Sequence, residues 1–131
     1  MKKVLFVCVE NAGRSKMAEA FFKRYAQNKF EVISAGTNPS QKTNPVVVKA
    51  MSEIGIDIDC QTPQLLSNDM LSDSVVINMG CMDKESCPAL FVRDVVDWNI
   101  PDPKGKSIDE IRIIRDTINL KVKELIKKLE D

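Results

Sequence analysis

Short unbroken apolar runs alternate along this chain with stretches whose apolar residues recur every three or four positions. Val4-Leu5-Phe6-Val7-Cys8 is a continuous apolar run, the pattern of a strand covered on both faces of a parallel sheet. A polar stretch from Glu10 to Gly13 follows. After it Met17, Ala18, Phe21, Phe22 and Tyr25 recur at helical spacing, which predicts a helix beginning near Arg14. Phe30 to Ser34 reads as a second strand, ended by Ala35-Gly36-Thr37-Asn38-Pro39. Asn44-Pro45 is a cap residue followed by proline at the first helical position, opening a helix to about Ile54. Ser74 to Met79 reads as a third strand ending at Gly80-Cys81, and Phe91 to Val96 is expected to contain a short fourth.

The last helix is the best marked. Ser107-Ile108-Asp109-Glu110 has the spacing of a capping box, and Ile108, Ile111, Ile114, Ile118, Val122, Leu125 and Leu129 then keep one apolar face. Such a stripe could dock a partner, but a sheet needs covering helices and core packing is the commoner use. Strands alternating with helices indicate an α/β domain with a parallel sheet, which binds ligands beyond the carboxyl ends of its strands. No internal repeat, low-complexity tract or linker divides the chain, so residues 1–131 are read as one domain.

Composition changes this picture in two ways. Lys plus Arg equals Asp plus Glu at 19 each, so no basic excess recruits nucleic acid or a membrane surface. Anion binding must come from a local arrangement. The chain also lacks histidine, which excludes a Cys-His pair and the commonest metal ligand. No apolar segment approaches the ~20 residues of a membrane span, and the run after Lys3 is too short for a signal peptide. A cytoplasmic location is expected, where cysteines stay reduced. Cys8, Cys60, Cys81 and Cys87 are then reactive, metal-binding or buried residues and not a permanent disulfide frame.

Cys8 ends the first strand, and five loop residues separate it from Arg14 and Ser15 at the start of a helix. The backbone N–H groups of Val9, Glu10, Asn11, Ala12, Gly13, Arg14 and Ser15 can converge on a small anion, and the Arg14 guanidinium can grip two of its oxygens. The same groups favour a thiolate, whose pKa of ~8.5 falls to roughly 3.5–7.5 near helix N-termini and cations. An isolated cysteine would more often be a small buried residue. The whole strand–Cys–loop–Arg-Ser–helix series favours a nucleophile.

Cys8-x-x-Asn11-x-x-Arg14-Ser15 followed by Met17-Ala18-Glu19 resembles the phosphate-binding loop of the low-molecular-weight protein tyrosine phosphatases. It resembles even more the thioredoxin-coupled arsenate reductases that share their fold. Ser34-Ala35-Gly36, Asn44-Pro45 and Asp102-Pro103 extend the likeness nearly end to end. The resemblance implies a three-layer sandwich around a four-stranded parallel sheet in the order 2-1-3-4. It makes Cys8 the nucleophile, Arg14 the oxyanion ligand, Asn11 the residue that shapes the loop and Ser15 a hydrogen-bond partner of the thiolate. Glu10 departs from the family, which usually has glycine there, and Ala12-Gly13 stand in place of Ser-Cys. A carboxylate at Glu10 weakens anion binding unless it points away to solvent.

In that sheet order Cys81 emerges at the same edge as Cys8. Cys81 and Cys87 could be zinc ligands, unreactive buried thiols or a redox pair, and zinc would need to enlist Cys8 and Cys60 at awkward spacing. By resemblance they are the redox pair of an arsenate reductase. Cys8 attacks arsenate, Cys81 attacks the Cys8 adduct to release arsenite, and Cys87 moves the disulfide to Cys81–Cys87, where thioredoxin reduces it. Six positions of regular helix span ~9 Å, beyond the ~7 Å Cα limit for a disulfide, so the 81–87 segment is expected to be a mobile loop or an unwinding helix. Asp102 is by resemblance the general acid that protonates the leaving oxygen. Lys104 stands where the phosphatases carry an aromatic residue, which argues modestly against aryl phosphates. A phosphatase acting on phosphate monoesters through a Cys8 phospho-intermediate is the alternative, and a redox-sensing or anion-binding protein a third. Cys60 reads as structural or incidental. Asn11, Glu19 and Ser34 coincide with potassium-binding positions of some relatives; no other metal or resident cofactor is expected, and the chain is expected to be monomeric.

Overall fold

The computed structural model describes residues 2–27, 29–58, 62–71, 74–79 and 95–130. Its elements are β1 (Lys3–Cys8), α1 (Arg14–Ala26), β2 (Glu31–Gly36), α2 (Pro45–Ser52), α3 (Asn68–Leu71), β3 (Ser74–Asn78), β4 (Val95–Asp97) and α4 (Ile108–Glu130). The four strands form one parallel sheet in the order β2-β1-β3-β4, as expected. Register brings the strand ends level: Cys8 pairs with Gly36, Val7 with Asn78, and Asn78 with Asp97. The carboxyl edge is therefore a single rim to which each strand delivers its following loop.

Alternation along β1 divides the core between the two sheet faces. Val4, Phe6 and Cys8 point into a cluster with Met17, Phe21 and Phe22 of α1, Val47 and Met51 of α2, and Ile111, Ile114 and Ile118 of α4. Phe6 and Phe22 meet edge to face with ring centroids 5.9 Å apart. Leu5 and Val7 point the other way, to Ala35 and Val76, with Leu66 and Met70 over them. Among the described residues that second face is covered by the single turn α3 and the segment before it.

Local chemistry sets the helix starts. Asn44 Oδ1 accepts from the N–H of Val46 at 3.0 Å, with Pro45 at the first helical position. Ser107 and Glu110 form the reciprocal capping box, Ser107 Oγ accepting the Glu110 N–H at 3.3 Å. No side chain caps α1, whose N-cap is Gly13. Its first-turn amides open onto the sheet rim. Differences from expectation are small: β2 runs from Glu31 through Gly36, α2 stops at Ser52, and α3 had no sequence signal. Residues 91–94 of the expected fourth strand lie outside the described residues, as do Cys60, Cys81 and Cys87. Among the described residues, no helix is long and apolar enough to cross a membrane.

Candidate active site

The loop between β1 and α1 is shaped from behind. Its carbonyls face the segment after β2: Cys8 O accepts from Thr37 N at 3.3 Å, Val9 O from Asn38 N at 2.8 Å, Glu10 O from Ser40 N at 2.9 Å and Ala12 O from Asn44 N at 2.8 Å. With these carbonyls turned outward, the loop is free to aim an amide at the sulfur. The Asn11 N–H shows this directly, donating to Cys8 Sγ at 3.1 Å. Asn11 takes a left-handed backbone, φ 52°, which asparagine tolerates better than most residues. Gly36 lets the loop press against β2, because a Cβ there would fall onto the Val9 carbonyl oxygen.

Cys8 Sγ lies 2.8 Å from Ser15 Oγ. Ser15 Oγ also accepts the side-chain N–H of Asn11 at 2.7 Å, which leaves its own proton for the sulfur. Asn11 is held in turn, its Oδ1 accepting the Gln64 N–H at 2.9 Å. Two donors thus converge on Cys8, and donors to a thiolate favour the charged form. Behind them is a buried charge cluster. Glu19 lies 3.7 Å from the Lys16 ammonium and 3.1 Å from that of Lys23, and accepts from Ser34 Oγ at 2.5 Å. Burial pushes the Lys16 ammonium below the usual lysine range, Glu19 opposes this, and a smaller attraction links Lys16 to Cys8. A protonated Lys16 therefore favours the Cys8 thiolate in return.

Arg14 is buried and anchored by one nitrogen. Its Nη1 donates to Ile100 O at 2.6 Å and approaches Met79 O at 3.5 Å, while Nη2 lies 3.9 Å from Asp102 Oδ2. Among the described residues its one carboxylate neighbour is this long contact to Asp102, so an incoming anion can complete the guanidinium. Asp102 is 60% exposed, and its Oδ1 accepts the Lys104 N–H at 3.0 Å, the turn that Asp-Pro predicts. Lys104 reaches across to Glu10, Nζ to Oε1 at 3.3 Å. Glu10 therefore points neither into the cradle nor freely into solvent but onto an ammonium. Pro103 packs against Gly13, where a Cβ would come within 2.9 Å of its Cγ. The result is a cleft of about 500 Å³ lined by Cys8, Val9, Glu10, Ala12, Gly13, Arg14, Asn44 and Ile100 to Lys104.

A thiol in a cradle of backbone amides, with an arginine and an aspartate on the rim, is the arrangement that the sequence of one family encodes. The profile of the low molecular weight phosphotyrosine protein phosphatases matches residues 3–131. The chain belongs to that family. Within the low molecular weight phosphatase family, the chain is 36% identical over 131 residues to the glutaredoxin arsenate reductase of Synechocystis, covering 98% of this chain and 99% of that one. A solved structure of an arsenate reductase in the phosphate-binding state superposes with a TM-score of 0.86 at 38% identity, covering 98% of each chain. A thioredoxin-dependent arsenate reductase of Corynebacterium glutamicum superposes with a TM-score of 0.81 at 36% identity, covering 99% of this chain and 62% of that one.

Cys8, Val9, Glu10, Asn11, Ala12, Gly13, Arg14, Ser15 and Asp102 stand together at the cleft or in its supporting bonds. Cys81 and Cys87 lie outside the described residues; β3 ends at Asn78, and Met79 after it, two positions before Cys81, donates its N–H to Val7 O at 3.0 Å. Of Asn11, Glu19 and Ser34, the positions noted for potassium, Glu19 meets Lys16 and Lys23, and Asn11 Oδ1 accepts the Gln64 N–H. Among the described residues, no group of three His, Cys, Asp or Glu could hold a metal ion. Three functional features carried no sequence signal: the Ile100 carbonyl that anchors Arg14, the burial of Lys16, and the Glu10–Lys104 contact.

Proposed function

We propose that this protein is an arsenate reductase that captures arsenate on Cys8 and returns to its resting state through Cys81 and Cys87. The observation that carries the reading is the hydrogen-bonded setting of Cys8 Sγ, 3.1 Å from the Asn11 N–H and 2.8 Å from Ser15 Oγ in the cleft that Arg14 lines. The names of the similar proteins support arsenic as the element reduced. Arsenate enters as a dianion held by the loop amides and Arg14. Cys8 thiolate attacks arsenic, a sulfur–arsenic bond forms, and one arsenate oxygen leaves as water with a proton from Asp102. Cys81 thiolate then attacks Cys8 sulfur. The sulfur–arsenic bond breaks with its electron pair going to arsenic, which leaves as arsenite, and a Cys8–Cys81 disulfide remains. Cys87 thiolate attacks Cys81, freeing Cys8 and forming Cys81–Cys87. An external dithiol protein of the thioredoxin or glutaredoxin class reduces that bridge, so no resident cofactor is required.

Peptide mapping after brief arsenate exposure without reductant tests the relay. The expected product is a Cys81–Cys87 bridge that forms only with arsenate and is absent in Cys8→Ser. Free thiols at both positions, in a protein that still cleaves phosphate esters, would overturn it. One observation favours that second activity: Asp102 stands on the rim of the same cleft, near Arg14, where a leaving alkoxide would need a proton.

A further inference from the structure

Glu10 and Lys104 are 94 positions apart in sequence and touch across the mouth of the cleft at 3.3 Å. Glu10 belongs to the cradle loop, and its own carbonyl is bonded to Ser40 at 2.9 Å. Lys104 belongs to the acid loop, and its backbone N–H holds Asp102 Oδ1 at 3.0 Å. The charged side chains lining the cleft are thus Arg14 and Lys104 against Glu10 and Asp102. Among the described residues, Lys104 offsets Glu10, and Arg14 faces Asp102, the proposed proton donor. Without Lys104, Glu10 would cancel Arg14 and leave the described lining no excess positive charge to hold a dianion.

We infer that Lys104, acting through Glu10, is a specificity-determining residue. By neutralising Glu10 it keeps the cleft open to a small tetrahedral dianion, and the bridge between the two loops occupies the space that the leaving group of a bulky phosphate ester must cross. The inference rests on the oxyanion-binding reading of this site but not on reduction. Lys104 is a positioning residue here: it acts on Glu10 and does not ligate the anion.

Protection of Cys8 from iodoacetamide by inorganic phosphate reads this directly, without arsenate turnover. Dissociation constants are taken from phosphate titrations at constant low ionic strength for the wild type, Lys104→Met, Glu10→Gln and the double variant. Both side chains are partly or largely exposed, so all four proteins are expected to fold. Lys104→Met should weaken phosphate binding about five-fold, because the released Glu10 carboxylate adds its repulsion to the loss of the ammonium's own attraction. In the Glu10→Gln background only the ammonium's direct attraction is lost, so the same change should cost clearly less, and kcat/KM for p-nitrophenyl phosphate should rise in the double variant. An equal loss in both backgrounds would mean that Lys104 binds the anion itself, and no loss in either would mean that the bridge is inert; each overturns the inference while leaving the proposed function standing. Absence of phosphate protection in the wild type would overturn both.

Discussion

Ser15 Oγ stands 2.8 Å from Cys8 Sγ while accepting the Asn11 side-chain N–H at 2.7 Å, so its hydroxyl proton is placed to serve a Cys8 thiolate. A hydrogen bond to a charged group contributes about 1.5–3 kcal/mol. Ser15→Ala should therefore raise the Cys8 pKa by about 1–2 units. The pH dependence of iodoacetamide alkylation measures it. A profile that does not move would mean that Asn11 and the helix amides hold the thiolate unaided.

Asp102 is exposed and held in its turn by the Lys104 N–H, so replacing it should not disturb the fold. As the proposed general acid it contributes to a proton transfer that is typically worth about 10²–10⁴-fold. Asp102→Asn should lower kcat for p-nitrophenyl phosphate at least about 100-fold by the same reasoning, with phosphate protection of Cys8 retained. A fall in phosphate affinity equal to the fall in kcat would show instead that Asp102 shapes the binding loop.

Gly36 lies where β2 meets the cradle, with the Val9 carbonyl and the Asn11 amide immediately against it. Gly36→Ala places a methyl group into backbone that cannot yield without moving the loop. Overpacking of this kind costs about 1–3 kcal/mol. Thermal unfolding should show a lower Tm, and the phosphate dissociation constant should rise in the same variant. Unchanged phosphate binding would indicate that β2 yields and the loop does not.

Glu53 joins α2 to α4. It meets Arg112 at 2.6 Å and Arg115 at 3.2 Å, and the Arg112 hydrogen bond is the largest cause holding its pKa at about 2, below the ordinary 4.5. The folded value is the lower one, so the stabilisation is fully present above the unfolded value and is lost as pH falls from about 4.5 toward about 2. Glu53→Gln should lower Tm at pH 7, and the gap from the wild type should close progressively below pH 4.5. A gap independent of pH would assign the effect to packing at the α2 terminus.

The sequence made the strand–loop–helix unit legible because its signals are local. An apolar run, a cysteine, five loop residues and Arg14-Ser15 lie within one stretch, and Asn44-Pro45 and Ser107-x-x-Glu110 mark helix starts within four residues. What escaped depends on contacts that sequence spacing does not reveal. The support behind the loop uses backbone N–H groups, which Thr37, Asn38 and Ser40 would supply with almost any side chains. Lys16 looks like a surface residue of an amphipathic helix, yet it is buried against Glu19. Glu10 read alone opposes anion binding, and only the fold brings Lys104 to it.

The outward-facing carbonyls of Cys8, Val9, Glu10 and Ala12 carry one more consequence for the proposed chemistry. Tied to the 37–44 segment before any substrate arrives, the cradle recognises a shape, and phosphate and arsenate have nearly the same one. Capture therefore cannot separate the nutrient from the poison, and cellular phosphate should occupy the cleft as a competitor. The choice must fall at the next step: a thiol can draw arsenic off Cys8 by giving it two electrons, while a phosphoryl group accepts none and can leave only by hydrolysis.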